Sequence, residues 1–310
     1  MVWDAFIAVY LFLAGLGAGA FFLGALVGWA KKPLPKMRRI AYIIAPVAVV
    51  VGTLVLVFDA KAGFANPLRF FYLVTNLSSV MAWGVIILSA FIIVSAVDLV
   101  ILLVKKETPK VLDVIGMVLA VCTAAYTGVL LGDAGMAFPL WNMVVLPVLF
   151  VVSAASTGMA AVLLGTYAVA PDEAASLPQL SKAGLVLPVV ELVLVVALLA
   201  VTAGTQGSAA VAGAASVASL MSGAYAVPFW LGFVALGLVL PFALELYRHR
   251  SGGAKAVIAV DGESAAKAPD GAGSAGSGKT LAFVGEAGVL IGGFMLRYLV
   301  IMAALAVVFA

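Results

Sequence analysis

Histidine and cysteine are almost missing from this sequence, with one of each in 310 residues. The lone histidine, His249, falls in "YRHR" at the edge of a polar loop. The protein therefore cannot supply the paired imidazoles by which membrane subunits usually ligate haem. The lone cysteine, Cys122, lies inside an apolar run, and a disulfide framework or a thiolate metal or iron–sulfur site needs more than one. No metal site is expected. Charge is scarce too: 17 Lys and Arg with 14 Asp and Glu make up 10% of the residues, against about a quarter in soluble domains. A basic surface for nucleic acid is absent, and no nucleic-acid partner is expected.

What the sequence has is apolar residues, 65% of the total. A bilayer span takes roughly 20 of them in succession. Clustered charges separate about eight such runs, at residues 5–30, 40–58, 70–104, 111–131, 142–170, 183–203, 225–247 and 282–310. The reading is an all-α, polytopic transmembrane helix bundle in the lipid bilayer. The runs at 70–104 and 142–170 are long enough to require tilting, kinking or extension beyond the membrane. The first run has no basic residues ahead of it and is too long for a signal-peptide core, so it is read as a retained helix.

Lys and Arg in short loops mark the cytoplasmic side. Lys31, Lys32, Lys36, Arg38 and Arg39 occupy one loop, and Lys105, Lys106 and Lys110 another. Lys182 adds to a third; Arg248, Arg250, Lys255, Lys267 and Lys279 to a fourth. With eight spans these loops share one side, and Lys61 and Arg69 stand alone on the other. Both termini are accordingly expected outside. Residues 1–247 form helices 1 to 7, residues 248–281 a cytoplasmic Gly/Ser/Ala-rich linker, and residues 282–310 helix 8.

One stretch of that linker, "GSAGSGKT" at Gly273–Thr280, fits the phosphate-binding loop pattern at every fixed position. Such a loop works only between a strand and a helix of a folded α/β domain. Here it ends a low-complexity tract and runs into a membrane span, so no nucleotide is expected there.

Ionisable residues within spans are functional candidates because burying them is costly. An outer tier contains Asp4, Tyr10, Asp59, Arg69, Tyr126, Asp133 and Trp141, carboxylates and phenols able to bind a polar ring head and take its protons. The plainer reading is an interfacial aromatic belt with Asp59 and Arg69 paired at loop ends. A deeper tier contains Asp98, Asp113, Glu191, Glu245, Glu286 and Arg297. Glu191 and Arg297 fall near mid-span and read equally as part of a proton relay or as a buried ion pair. Asp98, Asp113 and Glu245 lie close enough to the cytoplasmic ends to be solvated. Small residues recur in "AGLGAGAFFLGALVG" and "SAASTGMAAVLLG", the pattern of close helix packing. Both follow Leu-Phe, at Leu11-Phe12 and Leu149-Phe150, a faint internal echo. Residues 204–224 are too polar for a span and are expected at the outer surface, where a partner could dock.

Five blocks in order, "VWDAFIAVYLFLAGLGAGAFFLGAL", "NPLRFFYLVTNLSSVMAWG", "YTGVLLGDAGMAFPLWNMVVLPVLFVVSAASTGMAA", "PFWLGFVALGLVLPFALEL" and "GGFMLRYLVIMAA", resemble the NrfD/PsrC family of membrane subunits of polysulfide, nitrite and related respiratory reductases. The resemblance implies an eight-helix, haem-free protein of the cytoplasmic (inner) membrane of a prokaryote. Menaquinone or another quinone would bind as substrate near the outer face. Electrons would pass to an iron–sulfur partner subunit on that face and, in many complexes, on to a molybdopterin catalytic subunit. By position, Tyr126 matches the tyrosine near the quinone head in the polysulfide reductase member. Tyr10 falls where that member has a histidine. A phenol is no near-neutral acid or base, so Asp4 or Asp59 is expected to supply the proton acceptor. Asp59 and Arg69 occupy the family's Asp…Pro-x-Arg block, and Glu191 sits where members keep an acid.

The expected function is thus a quinol-oxidising, or in reverse quinone-reducing, membrane anchor. Tyr126, Asp59, Tyr10 and Asp4 would handle the head group, with Arg69, Asp133 and Trp141 in the site wall. Glu191, Arg297, Glu286 and Asp98 would offer a proton path. The rival expectation is a secondary transporter or ion channel lined by Glu191 and Arg297, which broken helices and an inverted repeat would support.

Overall fold

A computed structural model describes residues 4–59, 76–174, 176–250 and 272–307. Eight of its helices are long and apolar enough to cross a membrane: α1 (Ala5–Gly28), α2 (Pro35–Asp59), α3 (Val80–Lys105), α4 (Lys110–Gly132), α5 (Val145–Val169), α6 (Pro178–Ala203), α7 (Pro228–Arg250) and α8 (Ala272–Met302). Among the described residues there is no strand.

Local chemistry sets the helix ends. Asp4 caps α1 by accepting a hydrogen bond from the Phe6 N–H at 2.9 Å. Proline opens α2, α6 and α7, where its missing N–H costs nothing. α3 stops at Lys106, whose φ of 63° puts it in the left-handed region and turns its N–H back to the Leu102 carbonyl. Asn142 receives the N–H groups of Val144 and Val145, both at 3.0 Å, and starts α5 three residues into the apolar run. α3 and α5 are thereby held to 26 and 25 residues, ordinary span lengths, rather than the longer runs at 70–104 and 142–170.

The helix termini gather at two ends. At the end holding most of the Lys and Arg, here the basic end, the close of α1 meets the starts of α2 and α4, and the close of α5 meets that of α7. At the opposite end, the α4–α5 connection, the close of α8 and the segment after α6 meet: Trp141 donates its indole N–H to the Val300 carbonyl, Leu305 N–H to Ser216 Oγ, and Val307 N–H to the Ala137 carbonyl. The polar segment at 204–224 folds there as a turn and a helix, Ala210–Met221, of 12 residues, too short to span.

α1 is the centre, packed on α2, α4, α5 and α8. The two small-residue runs meet each other: a Cβ at Gly19 would strike the Ala154 carbonyl, and one at Gly158 the backbone of Gly19 and Ala20. Backbone-to-backbone approach of this kind is how helices associate where lipid offers no hydrophobic drive. Gly237 of α7 and Gly292 of α8 cross in the same manner. Peripheral α3 shows its partition plainly: Gly84, Leu88, Phe91, Ser95, Asp98 and Leu102 are buried at alternating four- and three-residue steps, while Ile93, Val97, Val100 and Val104 are exposed, the face for lipid.

The Leu-Phe echo has a structural counterpart. α4 packs on α1 and α3 as α8 packs on α5 and α7, and α4 touches α5 as α8 touches α1. Four helices per half return the chain to the same end, so the two halves run in parallel rather than inverted. The linker is shorter than residues 248–281: α7 runs to Arg250 and α8 begins at Ala272, so "GSAGSGKT" lies in the first turns of a helix.

Candidate functional site

At the opposite end Tyr10 of α1 and Tyr126 of α4 lie near enough to interact electrostatically. Tyr10 lies about 7.5 Å in from Ala5 and Tyr126 about 9 Å in from Gly132, at 1.5 Å per residue. Tyr10 is buried, and Tyr126 lays its ring and hydroxyl directly against α3 at Gly84, where a Cβ would collide with them. Any larger residue at position 84 would expel the phenol. One turn below Tyr126, the buried Thr123 hydroxyl has no hydrogen-bond partner among the described residues.

The remaining outer candidates separate. Asp133 follows α4, exposed, and acts on Tyr126 electrostatically. Asp4 is exposed and occupied as the α1 cap. Asp59 is the last residue of α2; its side chain and the whole of Arg69 lie outside the described residues. Trp141, expected in the site wall, is buried and pins the α4–α5 connection to α8 at 2.8 Å.

A second polar centre lies directly inward of the tyrosines. Arg297 of α8 is fully buried, and its Nε donates to the carbonyl of Leu11, the residue after Tyr10, at 3.2 Å. Its Nη1 donates to Ser153 Oγ at 2.9 Å and to the Gly293 carbonyl at 2.8 Å. Nη2 has no partner among the described residues and faces Gly15, where a Cβ would come within 2.6 Å of it. The rings of Phe12 and Phe150, the two echo phenylalanines, face the guanidinium carbon at 5.9 and 5.2 Å, a cation–π arrangement contributed equally by α1 and α5. Glu191 of α6 is buried beside Ser153, and Glu191 and Arg297 attract each other across that hydroxyl. The expected ion pair is not a direct one: the ion pairs within 4.0 Å among the described residues are Arg38–Asp113 and Arg248–Glu245.

Those two pairs organise the basic end, one in each half. In the first half Asp113 of α4, 1% exposed, accepts four side-chain hydrogen bonds. Its Oδ1 receives Tyr42 Oη at 2.5 Å and Thr108 Oγ1 at 2.6 Å; its Oδ2 receives Trp29 Nε1 at 3.1 Å and Arg38 Nη2 at 3.3 Å. Arg38 also bonds Thr108. Asp98 of α3, buried in the same neighbourhood, has no partner on either oxygen among the described residues. The expectation that Asp98 and Asp113 are solvated is therefore corrected: Asp98 lies on the buried seam of α3, and Trp29, Arg38 and Tyr42 close over Asp113 one turn from the start of α4. In the second half Glu245 accepts from Ser181 at 2.5 Å and from Arg248 at 2.9 Å, while Arg248 donates to Tyr167 at 3.1 Å. Glu286, partly buried, interacts with both Glu245 and Arg248. Glu173, just past α5, caps α2 from a distance by accepting the Lys36 and Met37 N–H groups at 3.3 and 2.8 Å.

The sequence alone does not single out Ser153, Tyr42, Trp29, Thr108, Tyr167, Ser181 and Glu173, and it presents Arg38 as a loop charge. Hydroxyls and aromatics in an apolar run carry little signal alone. The 138-residue offset that separates Leu11 from Leu149 also separates Trp29 from Tyr167, and that spacing is a signal that could have found these two.

The bundle, with charges confined to helix ends and a few buried polar centres, is that of a multi-pass membrane protein. It belongs to the family described as polysulphide reductase, NrfD, whose model matches residues 1–262. It is 33% identical over 302 residues to protein NrfD of Escherichia coli (strain K12), covering 85% of this chain and 90% of that protein. It is 32% identical over 281 residues to the C chain of the polysulfide reductase of Wolinella succinogenes, covering 81% and 87%. A protein NrfD homolog of Haemophilus influenzae is 27% identical over 281 residues, covering 80% and 84%.

Proposed function

We propose that this protein is the membrane-anchoring, quinol-binding subunit of a respiratory oxidoreductase complex, with the head group held at the opposite end between Tyr126 and Tyr10. The observation that carries the reading is Tyr126 seated on Gly84 within electrostatic reach of the buried Tyr10, in a member of the NrfD family. A quinol that becomes a quinone gives up two electrons and two protons. This sequence offers no ligand set of its own for the electrons, so an iron–sulfur partner subunit would take them, with a molybdopterin subunit beyond it. The Tyr126 hydroxyl would hydrogen-bond one quinol oxygen. Tyr10 would hold the other, and Asp59 or Asp133 would accept protons at the rim, with Arg69 tuning the carboxylate.

Arg297 is bonded to the carbonyl next to Tyr10 and coupled through Ser153 to Glu191. This gives the head-group site a polar continuation toward mid-span, and Glu286 and Glu245 interact with each other separately at the basic end. We read these groups as a proton path. By the Lys and Arg excess we place the basic end in the cytoplasm, and we propose a prokaryotic inner membrane with the partner subunits outside.

The test uses the complex isolated from native membranes by a tag on this subunit. Reduced menaquinol analogue should bleach its iron–sulfur absorbance. Tyr126→Phe should slow the bleaching about tenfold, the worth of a hydrogen bond of 1–2 kcal/mol. Purified material without iron, or with iron indifferent to quinol, overturns the proposal.

A further inference from the structure

The buried polar groups left unused by this reading concentrate in the first half of the bundle, at the basic end. Asp98 sits on the buried seam of α3, with Leu102 one turn beyond it and Ser95 one turn before. It is completely covered, yet neither carboxylate oxygen has a hydrogen-bond partner among the described residues. Lipid does not cover it, because the lipid-facing residues of α3 are Val97 and Val100 on either side. α4 and α2 pack most extensively against α3, with Phe21 of α1 reaching Phe91, and the charged groups near Asp98 are Asp113 and Arg38.

The two carboxylates are treated very differently. Asp113 receives four donors, among them the Arg38 guanidinium. Asp98 receives none from the described residues. An ionised carboxylate in that position would be a buried, unpaired charge beside a second anion, which costs several kcal/mol by desolvation alone. With one proton on Asp98 the group Asp98, Asp113 and Arg38 is neutral. The guanidinium is also not fully used: Arg38 Nε is buried against Gly28 of α1 without a hydrogen-bond partner among the described residues.

We infer that Asp98 is a proton-binding site of the basic end, and that Arg38, held on Asp113 while Asp98 carries its proton, turns to Asp98 when the proton leaves. The step needs no oxidant or metal: the proton passes to water at the basic end, and Asp98, Asp113 and Arg38 are left with one net negative charge, the guanidinium shared between the two carboxylates. The site is distinct from the Glu191 and Arg297 centre, which is built on α5, α6 and α8, and it does not rest on the quinol reading.

Infrared difference spectroscopy on the full-length protein in lipid nanodiscs tests it, between about pH 6 and about pH 9 to bracket a shifted carboxyl. The wild type should show the carbonyl stretch of an un-ionised carboxylic acid, sensitive to deuterium exchange and lost as the pH rises. In a Glu191→Gln, Glu286→Gln background, which removes the other buried acids of the proton path, Asp98→Asn should delete that band, and Asp98→Glu, which keeps the acid, should move it without deleting it. Replacing sodium by choline should change nothing. A wild type without the band at any pH, a band that persists in Asp98→Asn, or a carboxylate signal that follows sodium would each overturn the inference. Should Asp98→Asn fail to fold, an unmoved band in Asp98→Glu overturns it equally.

Discussion

Single residues decide whether the polar centres exist at all. Gly84 has its role because Tyr126 occupies the volume of its missing side chain. Gly84→Val should therefore displace the phenol and slow quinol-dependent bleaching of the complex at least as much as Tyr126→Phe, while the spans still insert. Normal bleaching in Gly84→Val would remove Tyr126 from the site. Asp113 illustrates the opposite case, a residue whose partners hold three helices together. Asp113→Ala leaves the part-buried Arg38 without the carboxylate it holds and three further donors without their acceptor, and should cost about 3 kcal/mol, the low end of the range for one-sided removal of a buried pair. Denaturation in detergent would measure it, and Arg38→Met on top of Asp113→Ala should restore part of the loss, since two facing residues do not add independently. The tier of intramembrane charges is legible in the sequence because a charge in an apolar run stands out. Their environments are not. Asp113 reads as solvated because Lys110 is three residues away, and what covers it is Trp29 and Tyr42, distant in sequence by 84 and 71 residues.

Elements meet through glycine in this bundle. The α1–α5 crossing at Gly19 and Gly158 has backbone against backbone, so no rotamer change can relieve an added side chain. Gly19→Leu should abolish the folded bundle, seen as loss of a monodisperse peak in detergent. Gly184→Ala is its control: the added Cβ would sit 3.4 Å from Glu245 Cγ, ordinary contact, and alanine favours a helix by up to about 1 kcal/mol. That variant should melt at or slightly above the wild-type temperature. The runs of small residues announce such contacts in the sequence, but which run meets which is settled only by the fold. α7 is less readable. Its first part, Pro228–Val239, is wound as a π-helix that ends just before Pro241, whose ring and missing N–H disturb the regular ladder.

The whole molecule is two parallel four-helix halves, each closed at the basic end by an acid–arginine network and joined at Arg297 between Phe12 and Phe150. Parallel halves put like ends together, which is why the Lys and Arg of four loops fall on one side and the tyrosine pair on the other. The functional reading depends on which side that is, since quinol protons would be released wherever the tyrosine end faces. Cys122→Ala provides a background without native thiols, into which Glu107→Cys at the basic end and Met136→Cys at the opposite end can be placed; both positions are exposed. In intact cells of a bacterial host, spheroplasted to admit the reagent, a membrane-impermeant maleimide should label Met136→Cys at once and Glu107→Cys only after lysis. The reverse pattern would turn the molecule over, moving the head-group site and its electron-accepting partner to the cytoplasmic face and the Asp98 proton site to the outer one.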